Sequence, residues 1–434
     1  MVPVDKLVAF SGIEDRISAL LQTICVMVSW DTGKTVKECF GCPWSPPVTK
    51  PSAERMANVK WNGIVRIREK TRSTWATSQQ GVKAASSSSP SPTNSDRRGL
   101  AAGSVGGGGM DRWTGVLHVP LSRGGPPFRV AASLVLSPAK TLAVPCANAI
   151  LFTGDRVRGS GDPVIERLSD AAYLVRLLAG KLSGEANAWV VDAACFAGSF
   201  AVYQELVPSV DAVGDPNRYN PTGFPAAAGV TNILAHCVRE IQTLIVKSTM
   251  KGSAGGHDPT ASLLSYCPPK TIVLGFSKGG VVVNQLVTEL ACFASQSTKT
   301  SVDDSRSSSL LTRNLLVPVS ASEFLSSMSE FHYVDVGLNR SGAYITDHAV
   351  INEIANYVVH TTKNLCFVLH GTPRQWSDPN RSWIQMEKER MLILLRDEAQ
   401  RCEGRLVVSE KRYFDGKPRS LLMHFEILEV MDIG

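Results

Sequence analysis

The chain has 434 residues, of which 44% are hydrophobic, and it carries a net charge of +6. This composition suffices for a sizeable core, in one large domain or in two or three ordinary ones. The surplus charge is confined to residues 1–109, which hold 14 basic and 8 acidic residues. The neutral remainder has no basic stripe, which argues against nucleic-acid binding. No window reaches the roughly 18 uninterrupted apolar residues of a membrane-spanning helix, so no integral membrane segment is expected.

The ten cysteines do not suggest a disulfide framework. Cys39 and Cys42 form a C-x-x-C pair, but no second pair and no histidine pair lies nearby, so neither a zinc site nor a redox site is predicted. No metal or organic cofactor is expected. Seven others are predicted to be small buried hydrophobes of a reducing compartment, cytoplasmic or mitochondrial. They are Cys146, Cys195, Cys237, Cys267, Cys292, Cys366 and Cys402.

Residues 1–109 are predicted to be an extension of a body that spans residues 110–434. Within the extension, residues 73–109 contain SSSSPSPTNS and GGGG, which cannot bury enough apolar surface to become ordered. This part is predicted to be a disordered linker. Early acidic residues such as Asp5 argue against a transit peptide. A removable extension, a targeting segment and an addition upstream of Met110 all remain open.

In the body, short apolar runs alternate with helix-like segments. The runs resemble strands that are covered on both faces, and they span Val130–Leu136, Ala149–Phe152, Ala188–Asp192, Thr271–Leu274, Phe331–Val334 and Leu365–Leu369. The predicted helices are Pro163–Leu182, Phe224–Val246, Lys278–Ala294, Asp347–His360 and Ser382–Cys402. A polar insertion at residues 296–309 is interpreted as a surface loop. The alternation predicts an α/β domain with a doubly wound, mostly parallel sheet and helices on both faces.

The segment KTIVLGFSKGGV, residues 270–281, contains a G-x-S-x-G pattern. A strand that turns abruptly into a helix strains its apex residue and exposes that side chain, and the residues two before and two after must be small. Gly275 and Gly279 meet this requirement around Ser277. The pattern alone is short enough to arise by chance, and Ser277 could be a small residue in a turn. The apolar strand before it and the helical sequence after it favour a nucleophile elbow.

An α/β-hydrolase places its acid and its histidine after the serine in chain order, each past a later strand. Asp335 and His370 end two successive apolar runs downstream of Ser277, at the edge where parallel sheets carry their sites. His370 is predicted to take the Ser277 proton, and Asp335 to orient the imidazole. Asp347, which resembles a helix N-cap, and the pair Asp303 and Asp304 are alternative acids. The competing histidines are His332 before its strand, His348 and His360 on a helix, and His424 in a C-terminal strand-like run.

The oxyanion that forms on attack needs two donors. The backbone N–H of Lys278 is predicted to be the first, and Gly154, in the loop after an earlier strand, the second. Asp155 beside it is a candidate substrate-binding residue. Arg381 is another, since it could bind a carboxylate or a phosphate, although its surroundings also fit a turn and a helix start.

Three motifs, FTGD, GFSKG and HGTPRQWSDPNRSW, together resemble a eukaryotic family that includes the protein of human chromosome 2 open reading frame 69. The resemblance covers about residues 110–434, and the opening MDRWTGVLHVPL is similar to a plant-type member. It implies an α/β-hydrolase-like fold with a Ser-Asp-His triad and, from some animal members, an association with mitochondria. It implies no particular substrate. The matching positions are Gly154, Asp155, Gly275–Gly279, Val283, Asn284, Gln285, Leu286, Asp335, Gly337, His370, Thr372, Pro373, Gln375, Asp378, Pro379, Arg381, Ser382 and Trp383.

The sequence therefore predicts a serine hydrolase that cleaves an ester, thioester or amide through an acyl-enzyme on Ser277. Its substrate is expected to be a small acyl compound, with lipids among the candidates. Two alternatives stay open: an acyltransferase with the same triad, and an inactive hydrolase-fold protein that serves as a binding or scaffold protein in organelle upkeep.

Overall fold

A computed structural model of the chain describes residues 111–157, 159–182, 184–249, 268–297 and 316–433. The predicted extension at 1–109, the linker predicted within it at 73–109, the Cys39-Cys42 motif and most of the insertion at 296–309 therefore lie outside the described residues. Cys267 also lies outside them.

The strands of these residues form one eight-stranded sheet and a separate two-stranded hairpin. Their bounds are β1 Arg112–Val119, β2 Phe128–Val135, β3 Ala147–Phe152, β4 Ala186–Val191, β5 Cys195–Ala197, β6 Phe200–Val202, β7 Lys270–Phe276, β8 Met328–Val334, β9 Leu365–Gly371 and β10 Leu406–Arg412. The main sheet has the order β1-β2-β4-β3-β7-β8-β9-β10. Strand β2 runs opposite to the other seven, because it pairs antiparallel with both β1 and β4. Strands β3, β4 and β7 to β10 pair in parallel.

Helices connect the strands. Their bounds are α1 Pro163–Leu168, α2 Ala171–Lys181, α3 Pro225–Thr249, α4 Gly280–Ser297, α5 Ala321–Ser327, α6 His348–His360, α7 Pro373–Trp376, α8 Ser382–Ala399 and α9 Leu421–Val430. Side-chain caps set several starts: the carboxylate of Asp170 accepts from the Tyr173 N–H at the start of α2, and Asp347 begins α6 in the same way. No helix of the described residues is long and apolar enough to cross a membrane.

The sheet is covered on both faces. On one face, Trp189, Phe331 and Phe367 pack with α3, α4, α6 and α8. On the other, Leu151 and Leu274 pack with α1, α2 and α9. Because successive side chains of a strand point to opposite faces, burial on both sides makes the central strands continuous apolar runs. The predicted α/β-hydrolase-like, doubly wound fold is confirmed.

All six predicted strands are present, but the two edge strands of the sheet, β1 and β10, were not predicted. Their outer faces are exposed, so their sequences lack the apolar runs of the centre. The helix predicted over Pro163–Leu182 is divided in two, because Ser169 ends α1 and Asp170 caps α2. Among the described cysteines, Cys237 and Cys402 are buried, as predicted. The prediction is wrong for Cys146 and Cys195, which are exposed, and Cys292 and Cys366 are only partly buried.

Candidate active site

A sharp turn at the carboxyl end of β7 carries Ser277. This residue has a left-handed backbone, with φ +53°, in the short 3-10 turn that leads into α4. A Cβ added to Gly275 would lie 2.7 Å from the Cα of Gly280, and one added to Gly279 would lie 2.1 Å from the carbonyl oxygen of Phe152. The turn therefore needs glycine at both positions, as the G-x-S-x-G pattern predicts.

The loop after β3 lies against this turn. A Cβ on Gly154 would lie 2.4 Å from the Ser277 Cβ and 2.9 Å from its Oγ. The loop is anchored on each side of Gly154, since the Thr153 N–H donates to Val191 O at 3.1 Å and the Arg156 N–H donates to Ser199 O at 2.8 Å. The loop of Gly154, which is predicted to supply an oxyanion donor, thus lies against Ser277.

Asp335 lies one residue past β8 and is fully buried. Its φ of +44° is strained for a residue with a side chain. Its Oδ1 accepts from the Thr372 N–H at 2.7 Å, and its Oδ2 accepts from the Thr372 hydroxyl at 3.0 Å. The same Oδ2 lies 2.6 Å from Nδ1 of His424. The carboxylate is thus fixed by three hydrogen bonds.

His424 lies in the first turn of α9, which begins at the cap Ser420. Its ring stacks on that of Phe276, the neighbour of Ser277, with 4.7 Å between centroids. Since the Asp335 carboxylate can only accept, Nδ1 of His424 carries the proton and Nε2 is the basic nitrogen. The structure therefore brings His424 to the acid and to the turn that carries Ser277.

The predicted pairing of Asp335 with His370 is wrong. His370 lies inside β9, and its ring lies over a sheet face, with Nε2 3.0 Å from Nδ1 of His332 and Nδ1 3.0 Å from the Tyr413 hydroxyl. Both ring nitrogens are therefore engaged away from Asp335. Burial, and then the neighbouring His332, lower the pKa of His370 to about 3. The interpretation of the His424 segment as a strand is also wrong, because this segment is helix α9.

The HGTPRQWSDPNRSW motif supports the acid rather than supplying the base. Thr372 binds Asp335 and also caps α7. The side-chain amide of Gln375 lies 3.5 Å from Nδ1 of His424. The guanidinium of Arg381 is buried, with Nε donating to Asp378 at 3.0 Å and Nη2 donating to the Arg374 carbonyl at 3.3 Å. Arg381 thus serves its own segment, and these contacts do not support the prediction that it binds substrate.

A buried ion-pair cluster lies behind the turn. The ammonium of Lys278 donates to Val213 O at 2.7 Å and lies 3.0 Å from Asp215 and 4.0 Å from Asp155. Burial raises the pKa of both carboxyls, and Lys278 opposes the shift. Asp155 also accepts from the Ala201 N–H at 2.8 Å. Asp155 is therefore held inside the protein, which argues against its predicted contact with substrate.

The alternative acids and histidines have other places. Asp347 caps α6, with its carboxylate accepting from the Ala349 N–H at 2.9 Å. Asp303 and Asp304 lie outside the described residues. His348 is exposed, and the ring of His360 contacts the Asn356 carbonyl at 2.7 Å. Asp347, His348 and His360 therefore do not take part in the contact between Asp335 and His424.

Ser277 is only 6% exposed, and the crevice beside it is about 10 Å³, the space of one water. A cavity of about 690 Å³ is found instead beside Lys270, Met328 and Leu365, at the amino ends of β7, β8 and β9. That edge is roughly 20 Å from Ser277, since a strand residue rises about 3.3 Å. Within the described stretches, no group of three or more His, Cys, Asp or Glu side chains could hold a metal ion.

Comparison with known proteins confirms the resemblance inferred from the motifs. The family model C2orf69 matches residues 247–400. The mitochondrial protein C2orf69 homolog of Danio rerio is 26% identical over 252 residues, which cover 56% of this chain and 59% of that protein. The mitochondrial protein C2orf69 of Homo sapiens is 29% identical over 177 residues, or 39% of this chain and 37% of that protein. The chain thus matches less than two thirds of the length of either relative.

Solved structures with a similar fold include esterases of low similarity. A putative carboxylesterase from Lactobacillus plantarum has a TM-score of 0.32 and 11% identity, and covers 71% of this chain and 88% of that chain. The siderophore hydrolase EstB from Aspergillus nidulans has a TM-score of 0.30 and 12% identity, and the match covers 73% of this chain and 92% of that chain. At these scores the fold assignment rests on the strand order and the two-faced core.

Proposed function

We propose that this chain, whose residues 247–400 match the C2orf69 family model, is a serine hydrolase. Ser277 is the nucleophile of an acyl-enzyme and Asp335 is the acid, as the sequence suggested. His424 replaces His370 as the base. The backbone N–H groups of Lys278 and Gly154 are the proposed oxyanion donors. The bond cleaved is an ester, thioester or amide.

One observation carries this proposal: the 2.6 Å contact between Asp335 Oδ2 and His424 Nδ1, on a ring stacked against the residue before Ser277. Nε2 of His424 would take the Oγ proton as Oγ bonds to the acyl carbon. The same proton would then pass to the leaving group as its bond breaks. A water would then attack the acyl carbon and give a proton to His424. As the bond between the acyl carbon and Oγ breaks, His424 would return that proton to Oγ, which frees Ser277 and the acid.

The proposed substrate is a small acyl compound. The crevice beside Gly154 is lined by both apolar side chains, such as Leu168 and Phe425, and charged ones, such as Arg156. Its lining does not select among acyl compounds, and lipids stay among the candidates. Because the relatives are named mitochondrial proteins, we propose the mitochondrion as the compartment. Imaging of a tagged chain with a mitochondrial marker tests this part.

A second candidate function is supported by the closed site. Ser277 is 6% exposed and the adjacent crevice is about 10 Å³. Such a site fits an inactive hydrolase-fold protein that serves as a binding or scaffold protein in organelle upkeep. An acyltransferase would differ from the hydrolase only in the acceptor that resolves the acyl-enzyme.

A fluorophosphonate probe separates an active serine enzyme from the inactive scaffold. We expect it to label the purified full-length chain, and Ser277→Ala to abolish labelling. His424→Asn should lower the labelling rate by about 1,000-fold or more, because loss of the general base removes most nucleophile activation. His370→Gln, the matched control, should leave the rate nearly unchanged. Folding of each variant is checked by circular dichroism.

Unlabelled but folded wild-type protein would overturn the hydrolase in favour of the scaffold. Loss of labelling in His370→Gln with retention in His424→Asn would return the base to His370.

A further inference from the structure

We infer that the side chain of Lys278 is a positioning residue that sets the oxyanion hole, by tying the turn after Ser277 to the loop at Gly154 and Asp155. This inference rests on the proposed function and goes beyond it, since the proposal uses only the backbone of Lys278.

Lys278 carries a charge that is 1% exposed, directly after the proposed nucleophile. A buried ammonium is costly unless it is paired and hydrogen-bonded. Here Nζ donates to the Val213 carbonyl at 2.7 Å, lies 3.0 Å from Asp215, and lies 4.7 Å from the centre of the Phe200 ring. The ammonium is thus held from three sides, which fixes the backbone of its own turn.

The link to the other oxyanion donor runs through Asp155. Its Oδ1 lies 4.0 Å from Lys278 Nζ and also accepts from the Ala201 N–H at 2.8 Å. Asp155 is the neighbour of Gly154, where an added Cβ would lie 2.4 Å from the Ser277 Cβ. One ammonium therefore connects three backbone segments: the turn at 277–279, the loop at 154–155 and the stretch at 200–215.

The charges of this cluster do not balance when all three groups are ionised, because one ammonium faces two carboxylates. Burial raises the pKa of Asp155 and of Asp215, and Lys278 is the main group that opposes this. Removal of the ammonium would leave both carboxylates buried without their cation. The carboxylates would then turn toward water or take up protons. In either case Asp155 would lose its attraction to the turn, and the loop at 154–155 would shift relative to it.

The two donors matter most when negative charge develops on the attacked oxygen. A displacement of about 1 Å at such a site costs about 100-fold in rate, whereas binding of the uncharged group changes little. Loss of the Lys278 side chain should thus reduce the rate constant of inactivation, kinact, and leave the probe's binding constant, KI, nearly unchanged.

The test measures kinact and KI for a fluorophosphonate with the full-length chain, together with thermal unfolding. Lys278→Met is compared with Lys388→Met, since Lys388 is also 1% exposed and paired with two carboxylates, Glu389 and Glu410. We expect kinact to fall by about 30- to 100-fold in Lys278→Met. Lys388→Met should lower the unfolding temperature without this loss.

Two further variants separate positioning from stability. In Lys278→Met/Asp215→Asn one uncompensated carboxylate is gone, so the unfolding temperature should recover while kinact stays low. Asp155→Asn keeps an acceptor for the Ala201 N–H, and it is the test variant if Lys278→Met does not fold. It should lower kinact by roughly tenfold, since it weakens one of the several contacts of the Lys278 ammonium.

Labelled wild-type protein whose kinact is unchanged in Lys278→Met, or in Asp155→Asn, would overturn this inference alone. A folded wild-type protein that is not labelled would overturn it together with the proposed function. Recovery of kinact in the double variant would show that stability, and not position, had been measured.

Discussion

At the scale of the residue, the contact between Gly154 and Ser277 is a tight constraint on the site. We expect Gly154→Ala to lower the free energy of unfolding by about 1–3 kcal/mol, because its Cβ would lie 2.4 Å from the Ser277 Cβ. It should also slow fluorophosphonate labelling by about 100-fold, through displacement of an oxyanion donor. Urea unfolding and labelling kinetics measure the two effects.

The control is Gly180→Ala on α2, where an added Cβ meets nothing within 4 Å. Alanine there should raise the free energy of unfolding by up to about 1 kcal/mol, since it favours the helix. Equal effects of the two substitutions would contradict the close approach at Gly154.

Local sequence could place Ser277, Asp335 and Gly154, because each follows directly on an apolar strand. It could not choose the base. His370 also ends an apolar run, but β9 continues through Gly371, so its ring lies over the sheet face beside His332. His424 lies in LLMHFEILEV, which is apolar on nearly every side and shows no helical period. The one local signal of a helix was Ser420, a residue type that favours the N-cap position; its hydroxyl accepts from the Met423 N–H.

At the scale of the element, helix caps account for acidic residues that otherwise compete for a catalytic role. We expect Asp347→Ala to cost about 1 kcal/mol of unfolding free energy through loss of the α6 cap, without a change in labelling. Asp335→Asn should instead reduce labelling steeply, because a neutral amide no longer stabilises the imidazolium. Chemical unfolding and labelling of both variants give the comparison. A steep loss in Asp347→Ala with none in Asp335→Asn would transfer the acid to α6.

The central strands could be predicted because burial on two faces makes most residues of β3, β4 and β7 apolar. A long helix such as α6 could be predicted because its buried residues lie on one side. The edge strands could not be predicted, since one face of each is exposed to water. The polar residues on that face make the sequence look like that of a loop. The hairpin of β5 and β6, with three residues in each strand, is too short for a period to show.

At the scale of the whole molecule, His370 makes folding stability depend on pH. The folded protein keeps this ring neutral down to a pKa of about 3, whereas the unfolded chain takes up a proton near pH 6.5. Between these values the unfolded state binds more protons, so stability falls as pH falls. From pH 7 to pH 5, wild-type protein should lose about 2 kcal/mol more than His370→Gln.

Urea unfolding at both pH values measures this difference. The control is His348→Gln, at an exposed position on α6. It should lose as much unfolding free energy between pH 7 and pH 5 as the wild type. Parallel losses in wild type and His370→Gln would contradict a buried, neutral His370.

The pair of Asp335 and His424 joins positions 89 residues apart in the chain, and it has a consequence for how the molecule is assembled. Asp335 follows β8, whereas His424 lies on α9, the last helix of the described residues. A chain with its sheet and α4 formed, but with α9 not yet docked, would lose little helical signal and would lack this pair. If Ser277 is the nucleophile we propose, its labelling by a fluorophosphonate marks completed folding: it distinguishes finished molecules from compact intermediates that spectroscopy counts as native.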